Sequence, residues 1–114
     1  MEEMKRVEKP WGYEEILDDK GVYLVKKLVL RDETSLHYHN VRNELLIPVS
    51  GSGMLILKNH TFPLIPYIPF YVGKGVIHKI VPDRFLEIIE ISDGKENDVI
   101  RISNKHKRIR ENAR

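Results

Sequence analysis

The chain has 114 residues, 32% of them charged, and a mean hydropathy of -0.37, so we expect a single soluble domain over residues 1–114. It contains no cysteine, which excludes disulfide scaffolds, thiolate metal sites and cysteine nucleophiles. The formal net charge of +2 is unevenly distributed: residues 103–114 hold five basic residues and one acidic residue, and the remainder carries a small negative charge.

The sequence has no uncharged stretch long enough to span a bilayer and no signal-peptide core at its N-terminus. We therefore expect a cytoplasmic protein that does not contact a membrane. Nucleic acid is not an expected partner, because the basic surplus lies in the C-terminal segment and the rest is slightly acidic.

From residue 22 onwards, the sequence consists mainly of segments with strand-forming composition. Runs rich in β-branched and aliphatic residues predict strands. These runs are 22–30, 44–49, 54–57, 67–72, 76–81, 85–91 and 99–102.

Turn-forming residues separate most of these runs, notably at 51–53, 73–75 and 82–83. Short strands divided by regular turns are typical of an all-β sandwich or barrel. We therefore divide the domain into an N-terminal arm (1–20), a barrel (21–102) and a basic tail (103–114). A small barrel with exposed strand edges favours a homodimer.

Three histidines and one glutamate form the most informative pattern. His37 and His39 are two residues apart in an extended segment, so both rings point to the same side of a strand. Glu44 opens the next strand, and His78 begins a later one after a Gly-Lys-Gly turn. Three imidazoles and one carboxylate suit a divalent transition metal such as Zn, Mn, Fe or Ni. Any one of them alone is also explained as a solvated or ion-paired strand residue.

This spacing resembles the two motifs of the cupin superfamily. The first, His-x-His, four residues, Glu, six residues, Gly, is complete over residues 37–51, and the second occupies residues 73–78. Departures from the superfamily pattern, at Arg31, Gly73 and Pro82, fall on turn positions. The resemblance implies a double-stranded β-helix, or jelly-roll barrel, with a metal bound inside by His37, His39, Glu44 and His78.

A closer resemblance is to the cupin domain of type II mannose-6-phosphate isomerases. It covers most of the chain, from about residue 9 to residue 108. Its motifs are Lys9-Pro10-Trp11-Gly12, Ser35-Leu36-His37-Tyr38-His39, Arg42-Asn43-Glu44 and Asp98-Val99-Ile100-Arg101-Ile102. It implies a small-molecule substrate such as a sugar or sugar phosphate.

The chain departs from this family beside the expected metal site. The family usually has a histidine and a His-Trp pair where this chain has Val41, Leu45 and Leu46. We therefore expect a more apolar pocket than in the sugar isomerases. Trp11 is expected to pack in the core, since a single tryptophan in a small domain is usually buried.

Two basic residues are candidate catalytic groups. Lys26 alternates with aliphatic residues, so it is expected to face either the barrel interior or a subunit interface, and in the interior it requires a carboxylate or a bound anion as partner. Arg42, like Arg101, matches a basic position of the isomerase motifs and is interpreted either as a phosphate ligand or as surface charge. Glu87 and Glu90 have opposite strand parity, so at most one of them faces the pocket.

Three functions remain open from the sequence. The first is an isomerase in which a metal polarises the substrate carbonyl and a base such as Lys26 moves a proton between adjacent carbons. The second is an Fe or Mn oxygenase, which an apolar pocket wall would suit. The third is a non-catalytic metal-binding or sugar-binding module. A charged cavity beside the metal would favour turnover, whereas a barrel filled by apolar side chains would favour binding alone.

Overall fold

The computed structural model describes residues 5–94 and 99–103, which form strands and connecting segments without a helix. No helix there is long and apolar enough to cross a membrane. The described strands are β1 (Lys5–Lys9), β2 (Gly12–Asp18), β3 (Leu24–Leu30), β4 (Leu36–Tyr38), β5 (Glu44–Leu57), β6 (Thr61–Leu64), β7 (Phe70–Val72), β8 (His78–Ser92) and β9 (Ile100–Ser103). The predicted all-β class is confirmed, while residues 104–114 of the basic tail lie outside the described part.

All of these strands belong to one antiparallel sheet that curls on itself. Its main path is β1-β2-β3-β8-β4-β9, and β5 pairs with β6, β7 and β8. The two longest strands, β5 and β8, pair from Glu44 opposite Ser92 to Leu57 opposite His78. Strand β8 also pairs with β3 and, at His78, with β4. It therefore links the strands that carry the residues of interest.

The prediction that turns at 51–53 and 82–83 end strands is wrong. Both segments lie inside the long strands β5 and β8, where Gly53 pairs with Pro82. The ladder shifts register on either side of Gly51, which has φ +84°, a backbone conformation that side chains disfavour. Turn-type residues here produce irregularities that bend paired strands, and they do not break the pairing.

The N-terminal arm contains two strands that the sequence analysis did not predict. Strands β1 and β2 form a hairpin, and β2 continues onto β3. The charge-rich sequence Lys-Arg-Val-Glu-Lys of β1 lacks the aliphatic run that identified the other strands. Residues 5–18 thus extend the sheet, and Trp11 in the hairpin turn is buried in the core, as predicted.

The hydrophobic core fills the space between the inward faces of the strands. Leu30, Leu86 and Ile88 are completely buried, and Leu28 and Leu46 are nearly so. Strand register explains this packing, because Leu28 pairs with Ile88 and Leu30 with Leu86 across β3 and β8. The next inward-facing pair along the same two strands is charged, because there Lys26 pairs with Glu90. The candidate site therefore lies next to the aliphatic core.

Candidate functional site

The three motif histidines come together at the junction of β4 and β8. His37 in β4 pairs with His78, the first residue of β8, and His39 follows two residues after His37. Their ring centroids are 4.3 to 5.5 Å apart. Each ring offers one ligand atom, and these three atoms lie within 4.8 Å of one another. The three histidines could therefore form a metal site, and His37 and His39 converge as expected for residues two apart in an extended segment.

Hydrogen bonds to the backbone orient two of the three rings. Nδ1 of His37 donates to the carbonyl oxygen of Ser35 at 2.8 Å, and Nδ1 of His78 donates to that of Val76 at 2.9 Å. A carbonyl only accepts, so the proton is on Nδ1 and the lone pair is on Nε2. Fixing the tautomer through the second ring nitrogen is the usual arrangement for a metal-ligating histidine.

The same two rings are neutral near pH 7. Burial, reinforced by His78, lowers the pKa of His37 well below its ordinary value. Burial likewise lowers the pKa of His78 to about 4. A metal ligand must be the neutral imidazole, so these environments suit metal binding without displacement of a proton.

Glu44, the first residue of β5, lies at the edge of this cluster. Its Oε2 atom is 3.0 Å from Nε2 of His39, and its Oε1 atom is 3.8 Å from Nε2 of His78. Arg42 is 2% exposed and donates from Nη2 to the same Oε2 at 2.9 Å. The carboxylate is thus shared between the histidine cluster and a buried guanidinium.

A row of charged side chains continues from Glu44 across the inward face of the sheet. Glu90 on β8 is buried, and Nη2 of Arg42 lies 3.7 Å from its Oε2 atom. Lys26 on β3 is 4% exposed, and its Nζ donates to Oε1 of Glu14 on β2 at 3.1 Å. Lys26 therefore faces the interior with a carboxylate partner, the alternative that avoids an unpaired buried charge.

The neighbouring carboxylates determine the charge state of Lys26. Burial alone lowers its pKa, but Glu90 and Glu14 more than offset this, so the pKa of Lys26 lies above its ordinary value. The group is an ammonium ion across the physiological range. Such a cation suits the stabilisation of a negative charge on a ligand better than it suits proton abstraction.

Unlike Lys26, Glu90 lies in surroundings that favour its neutral form. Burial, together with the nearby Glu44 carboxylate, raises the pKa of Glu90 to about 7. The sequence analysis left open whether Glu87 or Glu90 faces the pocket. Glu90 does, whereas Glu87 lies on the other face of β8, where its carboxylate contacts Lys27 at 3.5 Å.

A cavity opens beside the histidines, and charged residues make up much of its wall. The apolar contribution expected from Val41 and Leu45 is not found, although Leu28, Leu46 and Ile80 are among the residues that line the cavity. Val41 is 64% exposed, and Leu45 points away from the interior because it alternates with the inward-facing Glu44 and Leu46. Of the three, only Leu46 lines the cavity. The charged residues that line the cavity are Lys9, Glu14, Lys26, Arg42, Glu44, Glu90 and Arg101.

Two of these lining residues were not predicted from the sequence. Lys9 was named only as part of a motif, and Glu14 was not named at all. Lys9 belongs to the Lys-Pro-Trp-Gly motif, which pointed to the hairpin but not to its side-chain directions. Glu14 and Ile16 alternate on one face of β2, and Ile16 is buried. A buried isoleucine two residues from a glutamate is the signal that would have placed Glu14 inside. His60 is exposed, as expected, and His106 lies outside the described residues.

Comparison with known proteins gives the family of the chain. Residues 1–104 match the family model described as Mannose-6-phosphate isomerase C-terminal. The alginate biosynthesis protein AlgA of Pseudomonas aeruginosa is 31% identical over 114 residues, covering 94% of this chain and 24% of that protein. Mannose-1-phosphate guanylyltransferase 2 of Escherichia coli is 29% identical over 113 residues, covering 90% of this chain and 23% of that protein. The chain thus spans about a quarter of these curated relatives.

The fold is also found in solved structures. A cupin-2 domain protein from Shewanella frigidimarina superimposes with a TM-score of 0.63 at 21% identity, covering 67% of this chain and 74% of that one. This likeness confirms the jelly-roll cupin fold. With the family match over residues 1–104, it shows that the chain belongs to the cupin family of mannose-6-phosphate isomerase C-terminal domains.

Proposed function

We propose that this protein is a divalent-metal-dependent enzyme acting on a sugar phosphate, with aldose–ketose isomerisation as its reaction. The observation that carries the proposal is the position of three converging histidines beside a cavity with a charged wall. The sugar-related names of the relatives and the family match are consistent with this substrate class. Buried charges are costly unless they are paired, so their concentration beside the histidines supports a site for a charged ligand.

The proposed ligands are Nε2 of His37, His39 and His78 and the carboxylate of Glu44. Three nitrogens and one oxygen form a donor set for a borderline divalent cation, with Zn, Mn, Fe and Ni as candidates. When bound, the metal would supply Lewis acidity toward a carbonyl or adjacent hydroxyl groups of the substrate. Arg42 holds the Glu44 carboxylate in place through its 2.9 Å hydrogen bond.

Two side chains are proposed to handle the substrate. The Lys26 ammonium would stabilise negative charge that develops on a substrate oxygen. Arg42 presents a buried guanidinium at the cavity wall and would bind or orient an anionic group. Apolar residues that include Leu28, Leu46 and Ile80 also line the cavity, so the isomerase hypothesis rests on the charged side chains beside the histidines.

The metal assignment is tested by equilibrium dialysis against each candidate metal, followed by elemental analysis. We expect one ion per chain in the wild type. His37→Ala and His78→Ala should each weaken binding by more than about 100-fold, because even outer-sphere partners account for 10- to 100-fold. His60→Ala is the matched control, since His60 is exposed and does not line the cavity. Equal metal content in all variants would overturn the assignment.

The reaction is tested with metal-loaded protein and mannose 6-phosphate, following the formation of fructose 6-phosphate. We expect turnover that is lost in Lys26→Met while the metal is retained. Saturable binding of the sugar phosphate with no turnover would instead identify a non-catalytic binding module.

We also propose that the protein is a cytoplasmic homodimer. Strand β7 pairs only with β5 among the described strands, and Tyr71 on this strand is 69% exposed. An open edge that carries an exposed aromatic side chain is a surface that proteins usually cover. Light scattering should give twice the 13.4 kDa chain mass, and Tyr71→Lys should shift the equilibrium toward the monomer.

A further inference from the structure

We propose that Glu14 is a positioning residue that holds the ammonium groups of Lys26 and Lys9 at the cavity, so that the N-terminal hairpin forms part of the ligand site. The inference rests on the proposed function in one respect, namely that the cavity accepts an anionic ligand. It goes further by assigning a role to a strand outside the motifs that suggested the site.

The geometry places one carboxylate between two amines. Oε1 of Glu14 lies 3.1 Å from Nζ of Lys26, and Oε2 lies 3.6 Å from Nζ of Lys9. The Glu14 side chain is 4% exposed, that of Lys26 is 5% exposed and that of Lys9 is 26% exposed. Lys26 thus lies deep in the cavity and Lys9 nearer its opening, and all three residues line it.

Strand register fixes this arrangement. Glu14 pairs with Leu28, and Ile16 pairs with Lys26, in the β2–β3 ladder. Glu14 and Lys26 are therefore diagonal neighbours on the same inward face, within reach of long side chains. Lys9 is the last residue of β1 and returns to the same place through the hairpin, where it pairs with Gly12.

Stability alone does not explain a buried pair at this position. Lys26 lies between Leu24 and Leu28 on an otherwise aliphatic face, where another leucine would continue the core. Replacing a buried ion pair by apolar residues is often neutral or stabilising. A lysine kept charged inside a cavity therefore points to a ligand, and the carboxylate that holds it determines where its charge is presented.

The chain contains its own control for this idea. One residue further along, Glu15 and Lys27 form a second Glu–Lys contact at 3.2 Å between the same two strands. Their side chains are 20% and 31% exposed and lie on the outward face, away from the cavity. The two pairs share residue types and strands but differ in the face of the sheet they occupy.

Loss of the Glu14 carboxylate would act on ligand binding through Lys26. Without it, Glu90 is the remaining carboxylate that raises the pKa of Lys26 against the effect of burial. The flexible lysine stem would also lose the acceptor that fixes the position of Nζ. The metal ligands lie on other strands, so metal binding should not change.

The test uses the full chain loaded with metal and titrated calorimetrically with inorganic phosphate, for the wild type, Glu14→Gln, Glu14→Asp, Lys26→Met and Glu15→Gln. We expect Glu14→Gln and Lys26→Met to weaken phosphate binding by ~10-fold, the equivalent of one charge-assisted hydrogen bond. Glu14→Asp should restore part of the affinity, and Glu15→Gln should match the wild type. Metal content should be the same in all five proteins.

Several outcomes separate this inference from the proposed function. Wild-type affinity for phosphate in folded Glu14→Gln would overturn the positioning role and leave the isomerase proposal intact. Failure of the wild type to bind phosphate would also overturn it, because no anion site would then exist. Phosphate binding that depends on Glu14, in a protein without isomerase turnover, would support the positioning role and refute the isomerase. If Glu14→Gln does not fold, Glu14→Asp and Lys26→Met decide the question.

Discussion

The two Glu–Lys pairs between β2 and β3 allow a direct measurement of what burial does to an ion pair. We consider double-mutant cycles in which the inner pair is changed by Glu14→Gln and Lys26→Met, and the outer pair by Glu15→Gln and Lys27→Met. Each cycle compares the two single variants with the double variant, and the coupling free energy is the departure from additivity.

Burial sets the expected magnitudes. Breaking a buried pair costs about 3–5 kcal/mol, because a charge is left without its partner. Here the loss is smaller, since Glu14 retains Lys9 at 3.6 Å and Lys26 retains the nearby Glu90. We expect each inner single variant to lose about 1.5 kcal/mol and the coupling to be about 3 kcal/mol, so that the double variant is about as stable as the wild type. For the outer pair, water screens the charges and the coupling should be about 0.5 kcal/mol or less.

Urea unfolding followed by the fluorescence of Trp11, the single tryptophan, is a suitable assay because this side chain is buried in the core. Equal coupling in the two cycles would refute the reasoning, because both pairs would then be screened to the same degree. A single variant in which the slope of the unfolding free energy against urea concentration differs from that of the wild type would have changed in compactness or in two-state behaviour, and its cycle would not be interpreted.

The remaining predictions concern the barrel. Gly51 and Gly75 have similar backbone angles, φ +84° and +81°, but a Cβ on Gly51 would clash with the carbonyl oxygen of Phe85, whereas at Gly75 nothing lies within 4 Å. Gly75→Ala should therefore cost about 1 kcal/mol from backbone strain, and Gly51→Ala about 3 kcal/mol or more; equal losses in urea unfolding would contradict this. Leu30→Ala removes a fully buried side chain and should cost about 2–5 kcal/mol, so a loss under about 1 kcal/mol would place Leu30 outside the core.

Sequence reasoning placed His37 and His39 on one face because that inference depends only on local periodicity. His37 and His39 share a face whenever their segment is extended, whatever the remainder of the chain does. The position of His78 followed from the second motif, and β8 does begin at this residue. The aliphatic neighbours of Lys26 placed it on an apolar face but left open whether that face is the barrel interior or a subunit interface, and the structure shows the interior.

Properties that depend on pairing between distant strands could not be predicted. That Glu90 lies opposite Lys26 is a consequence of the β3–β8 register, which spans more than sixty positions in the chain. The charged character of the cavity depends on that register and on the unpredicted hairpin that contributes Glu14 and Lys9. The direction of Leu45, by contrast, could have been predicted from the sequence, because alternation along a strand places it on the face opposite Glu44.

The inner pair also shows why this barrel departs from ordinary core composition. Along β3 the inward residues are Leu24, Lys26, Leu28 and Leu30, so a single charge interrupts an aliphatic face. A charged residue in an otherwise aliphatic face is expected at functional sites, where a residue is retained for its activity although an apolar one would give a more stable core. The double variant Glu14→Gln/Lys26→Met makes this measurable. If it is as stable as the wild type but binds phosphate about 10-fold more weakly or worse, the pair serves the ligand; if it is less stable and binds phosphate normally, the pair serves the fold.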